Sequence, residues 1–185
     1  MMRALAFAAV LAPSLAFAGL SGPATVVDGD TLGLNGEEIS LYGIDALEIT
    51  QSCSVDDEAW FCGWDAADRL EEIIGGRDVS CEPMGTGTEG ESLYRCMAGE
   101  DDLAGLMLDE GLAITAADTD DDYVVRETAA SEAGTGIWAG TFVEPQVYRD
   151  GGGCGCSARK KAMQETAAYM KEQRETEAEE TEASN

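Results

Sequence analysis

Short apolar runs and turn-forming pairs alternate between residues 24 and 43. Val26-Val27 leads to Asp28-Gly29, Leu32-Gly33-Leu34 to Asn35-Gly36, and Ile39-Ser40-Leu41 to Tyr42-Gly43. Asx-Gly pairs supply the positive φ angles of tight hairpin turns, so this stretch predicts a three-stranded meander. The period then changes. From Cys62 to Gly75 the apolar residues Trp64, Ala67, Leu70, Ile73 and Ile74 fall at helical spacing with Asp and Glu between them, and Gly75-Gly76 supplies the stop. Strand-like runs follow at about 78–82 and 93–98. Asp101-Asp102 opens a second helix, with Leu103, Leu106 and Met107 on its apolar face beside Met97 or its neighbours, and Gly111 ends it. A third helix is predicted over about 121–133. Ile137 to Phe142 reads as an irregular segment packing back on the core.

Five strands with helices inserted late suit a mainly β, α+β architecture: a small five-stranded Greek-key barrel of the OB-fold type with about three helices. Residues 1–18 carry Arg3, an apolar run and the small-x-small site Ala16-Phe17-Ala18, which predicts a secretory signal peptide and a periplasmic or secreted protein. No later stretch is long and apolar enough to span a bilayer. Gly151-Gly152-Gly153 marks the other boundary, leaving residues 19–150 as the domain; ~130 residues suffice to bury roughly two thirds of the unfolded surface in one core. Residues 151–185 form a Gly/Cys linker and a charged tail whose bulky apolar residues are Met163, Tyr169 and Met170. So little apolar surface does not offset ordering entropy, and the tail reads as a marginal helix fading into disorder.

Export to an oxidising compartment makes the six cysteines candidates for disulfides, and with no histidine in the chain a zinc site loses its usual partners. Cys53 and Cys62 flank a short loop. Cys81 and Cys96 lie on two strand-like runs that would face each other in an antiparallel hairpin, so the expected pairs are Cys53 with Cys62 and Cys81 with Cys96. Cys154 and Cys156 are left over, as a local disulfide, two free thiols, or a metal or intermolecular link.

Charge changes the picture further. The chain sums to −26, and residues 19–150 hold five arginines and no lysine against 30 acidic residues, giving 5 − 30 = −25. Binding to nucleic acid draws on basic groups that displace counterions, so this surface repels a polyanion. High charge also keeps a protein soluble in a salty medium, where salt screens its self-repulsion.

Candidate chemistry lies in two acidic loops, Asp28-Gly29-Asp30-Thr31 and Gly43-Ile44-Asp45-Ala46-Leu47-Glu48. Read alone, Asp28-Gly29 is an ordinary hairpin turn and Asp45 ends a strand. In this order, with Tyr94-Arg95, Asp109-Glu110-Gly111-Leu112-Ala113 and Gly136-Ile137-Trp138 downstream, the chain from about Thr25 to Asp150 resembles the thermonuclease (staphylococcal nuclease-like, SNase) family. The resemblance implies the OB-fold and calcium-assisted hydrolysis of phosphodiesters in nucleic acid or a smaller substrate. It implies Asp30 and Asp45 as metal ligands with the Ala46 carbonyl, Asp28 supporting the ion through water, Glu48 orienting or deprotonating the attacking water, and Arg95 gripping the phosphate. Set against that role for Arg95 is simple pairing with a nearby carboxylate.

Several positions depart from the family pattern. Ser40 stands where the first phosphate-gripping arginine belongs, and losing one such donor costs ~10²-fold to 10³-fold in rate. Leu47 replaces a proline that stiffens the turn before Glu48, and Tyr94 replaces a glycine ahead of Arg95. Ala116, Ala117 and Thr119 stand where aromatic residues flank the nucleotide. Two expectations follow: a weakened calcium-dependent nuclease, or a non-catalytic nuclease-fold module serving in binding or in cell-envelope structure, with protein partners not specified by the sequence.

Overall fold

A computed structural model describes residues 19–117 and 119–151. The expected signal peptide, the tail, and Cys154 with Cys156 lie outside the described residues. The fold mixes α and β: eleven short strands, four α-helices and one 3₁₀ turn among those residues.

The predicted meander forms as β2 (Ala24–Val26), β3 (Thr31–Leu34) and β4 (Glu37–Leu41), antiparallel in sequence order. Asn35 and Gly36 take φ of 55° and 85°, as the tight turn between β3 and β4 demands. An additional strand precedes them, β1 (Leu20–Gly22), which pairs with β8 (Val79–Thr86) instead. Only Pro23 separates β1 from β2, and a residue without an N–H is a natural break between two ladders. β8 pairs antiparallel with β9 (Ser92–Ala98), and β9 pairs in parallel with β4. The sheet therefore runs β1-β8-β9-β4-β3-β2, with β10 (Asp101–Asp102) added on β9. Two further pairs stand apart: β5 (Ile44–Ala46) with β11 (Ala113–Thr115), and the hairpin β6 (Cys53–Val55) with β7 (Glu58–Trp60). The eleven strands exceed the expected five, and among the described residues they fall into one seven-stranded sheet and two separate two-stranded pairs, so the expected five-stranded barrel is not seen as such.

Helix α1 (Cys62–Ile74) buries Trp64, Ala66, Ala67, Leu70, Ile73 and Ile74, and Gly75 ends it at φ 58°. Leu70 joins Leu32, Leu34, Ile39, Leu41, Leu103, Met107 and Leu108 in the main core, where each such side chain contributes about 1.5–3 kcal/mol of burial. Helix α2 (Leu103–Asp109) packs against α3 (Asp121–Ala133), whose bounds match the sequence expectation. Tyr123 ties the two, its hydroxyl donating to the Asp102 carboxylate at 2.8 Å. Met97, by contrast, belongs to β9.

Both expected disulfides form. Cys81 lies directly opposite Cys96 in the β8–β9 register, with Cα atoms 4.1 Å apart, and Cys53 bonds Cys62 with a Cα separation of 5.6 Å. The second bond lies in a smaller buried cluster with Leu47 and Ile137, against which Trp138 and Phe142 pack. Ile137 comes from the 3₁₀ turn Gly136–Ala139, so the last segment does fold back on the domain. It ends in α4 (Pro145–Arg149), a helix not anticipated from the sequence, although Pro at its first turn was a signal for it. No helix of the described residues is long and apolar enough to cross a membrane.

Candidate functional site

The two acidic loops meet. Asp30 ends the turn before β3, and its Oδ2 accepts the N–H of Ala46, at the end of β5, at 2.6 Å. Its other oxygen accepts from Thr31 Oγ1 at 3.1 Å, and Asp28 Oδ1 accepts the Asp30 N–H at 3.1 Å. Gly29 makes this approach feasible: a Cβ there would stand 2.8 Å from the Ala46 Cβ and 2.9 Å from the Ala66 Cβ. Although Asp30 keeps some exposed surface, its carboxyl is enclosed by protein. Burial first, then the neighbouring Asp28 charge and more weakly Asp45, push its pKa well above the ordinary value, against the Ala46 hydrogen bond.

Glu48 follows β5 in a loop fixed from two sides. Its backbone N–H donates to Gln51 Oε1 at 3.2 Å, while Gln51, 1% exposed, donates through Nε2 to the Val143 carbonyl at 2.5 Å. On the other side the N-terminus of α1 abuts the loop: a Cβ on Gly63 would lie 1.7 Å from the Glu48 carbonyl oxygen. Leu47 is 1% exposed in the smaller core. This leucine stands in place of the proline of the family pattern, and its buried side chain anchors the residue before Glu48. Burial also raises the Glu48 carboxyl, an effect partly reversed by Arg149.

Arg149 was not singled out by the sequence. From the end of α4 its Nη1 donates to Asp45 Oδ1 and Glu48 Oε1, each at 2.8 Å, and its Nη2 donates to Asp45 Oδ2 at 3.2 Å and Gln146 Oε1 at 2.8 Å. These bonds, with Asp45 foremost, raise its pKa against the cost of burial. The chain around it is latched to the loop: Tyr148 Oη donates to the Thr50 carbonyl at 3.1 Å and lies 3.1 Å from Thr50 Oγ1.

Arg95, on β9, keeps different company. It forms an ion pair with Asp120, and its guanidinium lies 5.4 Å from the ring centre of Tyr42 and 5.9 Å from that of Tyr123. Tyr94, the residue in place of glycine, is buried, and its carbonyl accepts the Tyr42 N–H at 2.8 Å, one link between β9 and the strand leading to Asp45. Ser40 sits on β4 directly opposite Thr31, the residue after Asp30, and carries no charge of its own.

The donor set at Asp28, Asp30, Asp45 and Glu48 is all oxygen and carries more negative charge than Arg149 balances, which suits a hard divalent ion. Among the described residues no three Asp, Glu, Cys or His side chains are arranged to hold a metal by themselves. Two carboxylates and a backbone carbonyl would have to share the ion with water or substrate, and Arg149 would have to release part of Asp45.

Comparison with known proteins places the chain in a family. A chain stretch 31% identical over 122 residues occurs in the succinoglycan biosynthesis protein ExoI of Rhizobium meliloti (strain 1021), covering 63% of this chain and 63% of that protein. The chain thus spans less than two thirds of the relative's length. Residues 38–140 match the staphylococcal nuclease homologue family, a span that takes in Asp45, Glu48 and Arg95 and begins after Asp28 and Asp30. With that match over more than half its length, the chain belongs to the staphylococcal nuclease homologue family.

Proposed function

We propose that the protein is a calcium-dependent phosphodiesterase acting on nucleic acid or a smaller phosphodiester, slowed by the missing arginine at position 40. The observation that carries this reading is the meeting of the two loops, Asp30 on the Ala46 N–H and Asp45 beside Glu48 on one guanidinium. In this reading Asp30, Asp45 and the Ala46 carbonyl hold the ion and Asp28 supports it through water. Bound calcium would neutralise charge that grows on the phosphate oxygens. Glu48 holds a water by hydrogen bond and takes its proton as the water oxygen bonds phosphorus and the P–O bond to the leaving group breaks; solvent protonates the leaving oxygen. A carboxyl raised by burial is the better base for that transfer. Arg95 leaves Asp120 to grip the phosphate.

The five-stranded barrel is part of the same reading, supported by the parallel β4–β9 pairing and by β1 and β2, the two ends of the strand path, being neighbours across Pro23. So is an oxidising compartment, periplasmic or extracellular, supported by the two disulfides. A second reading, a non-catalytic envelope module, is favoured by the uncharged Ser40 and the net charge of −26. The test is cleavage of single-stranded DNA with calcium over a range of salt. Activity abolished by Glu48→Gln supports the enzyme. Inert wild-type protein at every salt, with activity gained by Ser40→Arg, supports the module.

A further inference from the structure

Phosphate must be gripped by cations, and residues 19–150 offer only five. Three are committed elsewhere. Arg69 pairs with Glu110 and Glu72, Arg77 with Asp101, and Arg126 with Asp109. Arg95 is the fourth. The fifth, Arg149, lies between the proposed base Glu48 and the proposed ion ligand Asp45, 2.8 Å from each. A phosphoryl group under attack by water on Glu48, with an oxygen on an ion held by Asp45, must sit between those two carboxylates.

We propose that Arg149, delivered by α4, is a phosphate-gripping residue that takes over from the arginine absent at position 40. The inference rests on the phosphodiesterase reading and names a residue the family pattern does not supply. Three features make the guanidinium suitable. Its forked Nη1 and Nη2 already match two oxygens of one planar anion, the Asp45 carboxylate, and a phosphate presents the same geometry. Its buried Nε–H has no hydrogen-bond acceptor among the described residues, the nearest acidic oxygen being Glu89 Oε2 at 3.7 Å. Its helix is anchored to the Glu48 loop through Tyr148 on Thr50, and the segment just before the helix through Gln51 on Val143, which fixes the cation relative to the base. When substrate enters, its phosphate oxygens replace the carboxylates on the fork, which frees Asp45 for the ion and Glu48 for water.

The experiment compares wild type, Arg149→Gln, Arg149→Lys and the double variant Arg149→Gln with Ser40→Arg, assayed for kcat and KM on single-stranded DNA with calcium, and for melting temperature. The expected result is a ~10²-fold to 10³-fold loss in kcat/KM for Arg149→Gln, by the worth of one preorganised donor. Lys should recover part of the loss, and Ser40→Arg should restore at least tenfold, because it starts beside Thr31 at the same strand end. A merely structural role would show as a lowered melting temperature with no rescue from position 40. In parallel, affinity for a short single-stranded DNA is measured on the Glu48→Gln protein with and without Arg149→Gln; a tenfold or greater loss supports the grip even where turnover is undetectable. Wild-type kcat/KM in Arg149→Gln, with Glu48→Gln inert, overturns this inference and leaves the phosphodiesterase standing. Unchanged DNA affinity in the parallel pair overturns it as well. Cleavage unaffected by Glu48→Gln overturns the phosphodiesterase reading and this one with it.

Discussion

Replacing Gln51 by methionine tests whether the candidate base is held by one buried amide. Methionine matches glutamine in length and keeps the volume filled, so the change isolates the hydrogen bonds from cavity formation. Two partners lose their contact: the Glu48 N–H, 3.2 Å from Gln51 Oε1, and the Val143 carbonyl, 2.5 Å from Nε2. Stranding a buried polar group costs ~1–3 kcal/mol, and since both partners are only partly enclosed the lower half of that range applies to each. The sum is about 2–4 kcal/mol, or roughly 8–16 °C in melting temperature for a domain of ~130 residues. Thermal melts by circular dichroism measure this. DNA cleavage should fall by more than the folded fraction explains, because the same side chain ties the Glu48 loop to the segment carrying Arg149. A Gln51→Met protein melting within 2 °C of wild type, with unaltered kcat, would refute the idea that this residue aligns base and cation.

Three further outcomes are expected. Asp30→Asn in calcium-free buffer should stabilise the protein near neutral pH. The folded-state carboxyl is raised above its unfolded value, so its favourable contribution is present below about pH 4 and is lost as pH rises through the raised value; melts from pH 3.5 to 8 should therefore show a gain that widens upward, and a constant offset would contradict the cause assigned. Gly63→Ala drives a methyl group into the Glu48 carbonyl, 1.7 Å away, and should cost about 1–3 kcal/mol or more, read as a lowered urea midpoint together with reduced cleavage. Replacing Cys81 and Cys96 by serine should cost about 3 kcal/mol for a loop of 15 residues, and urea unfolding with and without reductant should show that reductant lowers the variant's midpoint less than the wild type's.

Local chemistry was legible in the letters wherever it was local in space. The Asn35-Gly36 turn, helix α1 with its Gly75 stop, α3 and the facing cysteines each announce themselves through residues a few positions apart or through one register. The hairpin β6–β7 escaped because its turn uses Asp56 and Asp57, both at positive φ, where Asn-Gly would have been recognised. Position 47 was half legible: the missing proline ring shows in the letters, whereas the burial of Leu47 shows only in the packing. Arg149 could not be found by pattern, since its partners Asp45 and Glu48 lie 104 and 101 residues upstream and no periodicity spans that interval. Its one sequence cue was Glu144-Pro145, a helix start. Arg95 was legible as a cation with a carboxylate partner, but the identity of Asp120 and the rings of Tyr42 and Tyr123 follow from how α3 lies over β9.

The pairing of Leu20–Gly22 with Val79–Thr86 has a consequence for synthesis. The first strand leaves the ribosome long before its partner exists, and the last described helix supplies a cation to loops made a hundred residues earlier. Such long-range contacts slow folding and leave the edge of the first strand without a partner until Val79–Thr86 has been made. The assembled cleft is therefore a late product of biogenesis: a growing polypeptide carries both acidic loops long before the helix that delivers Arg149 between Asp45 and Glu48 has been made.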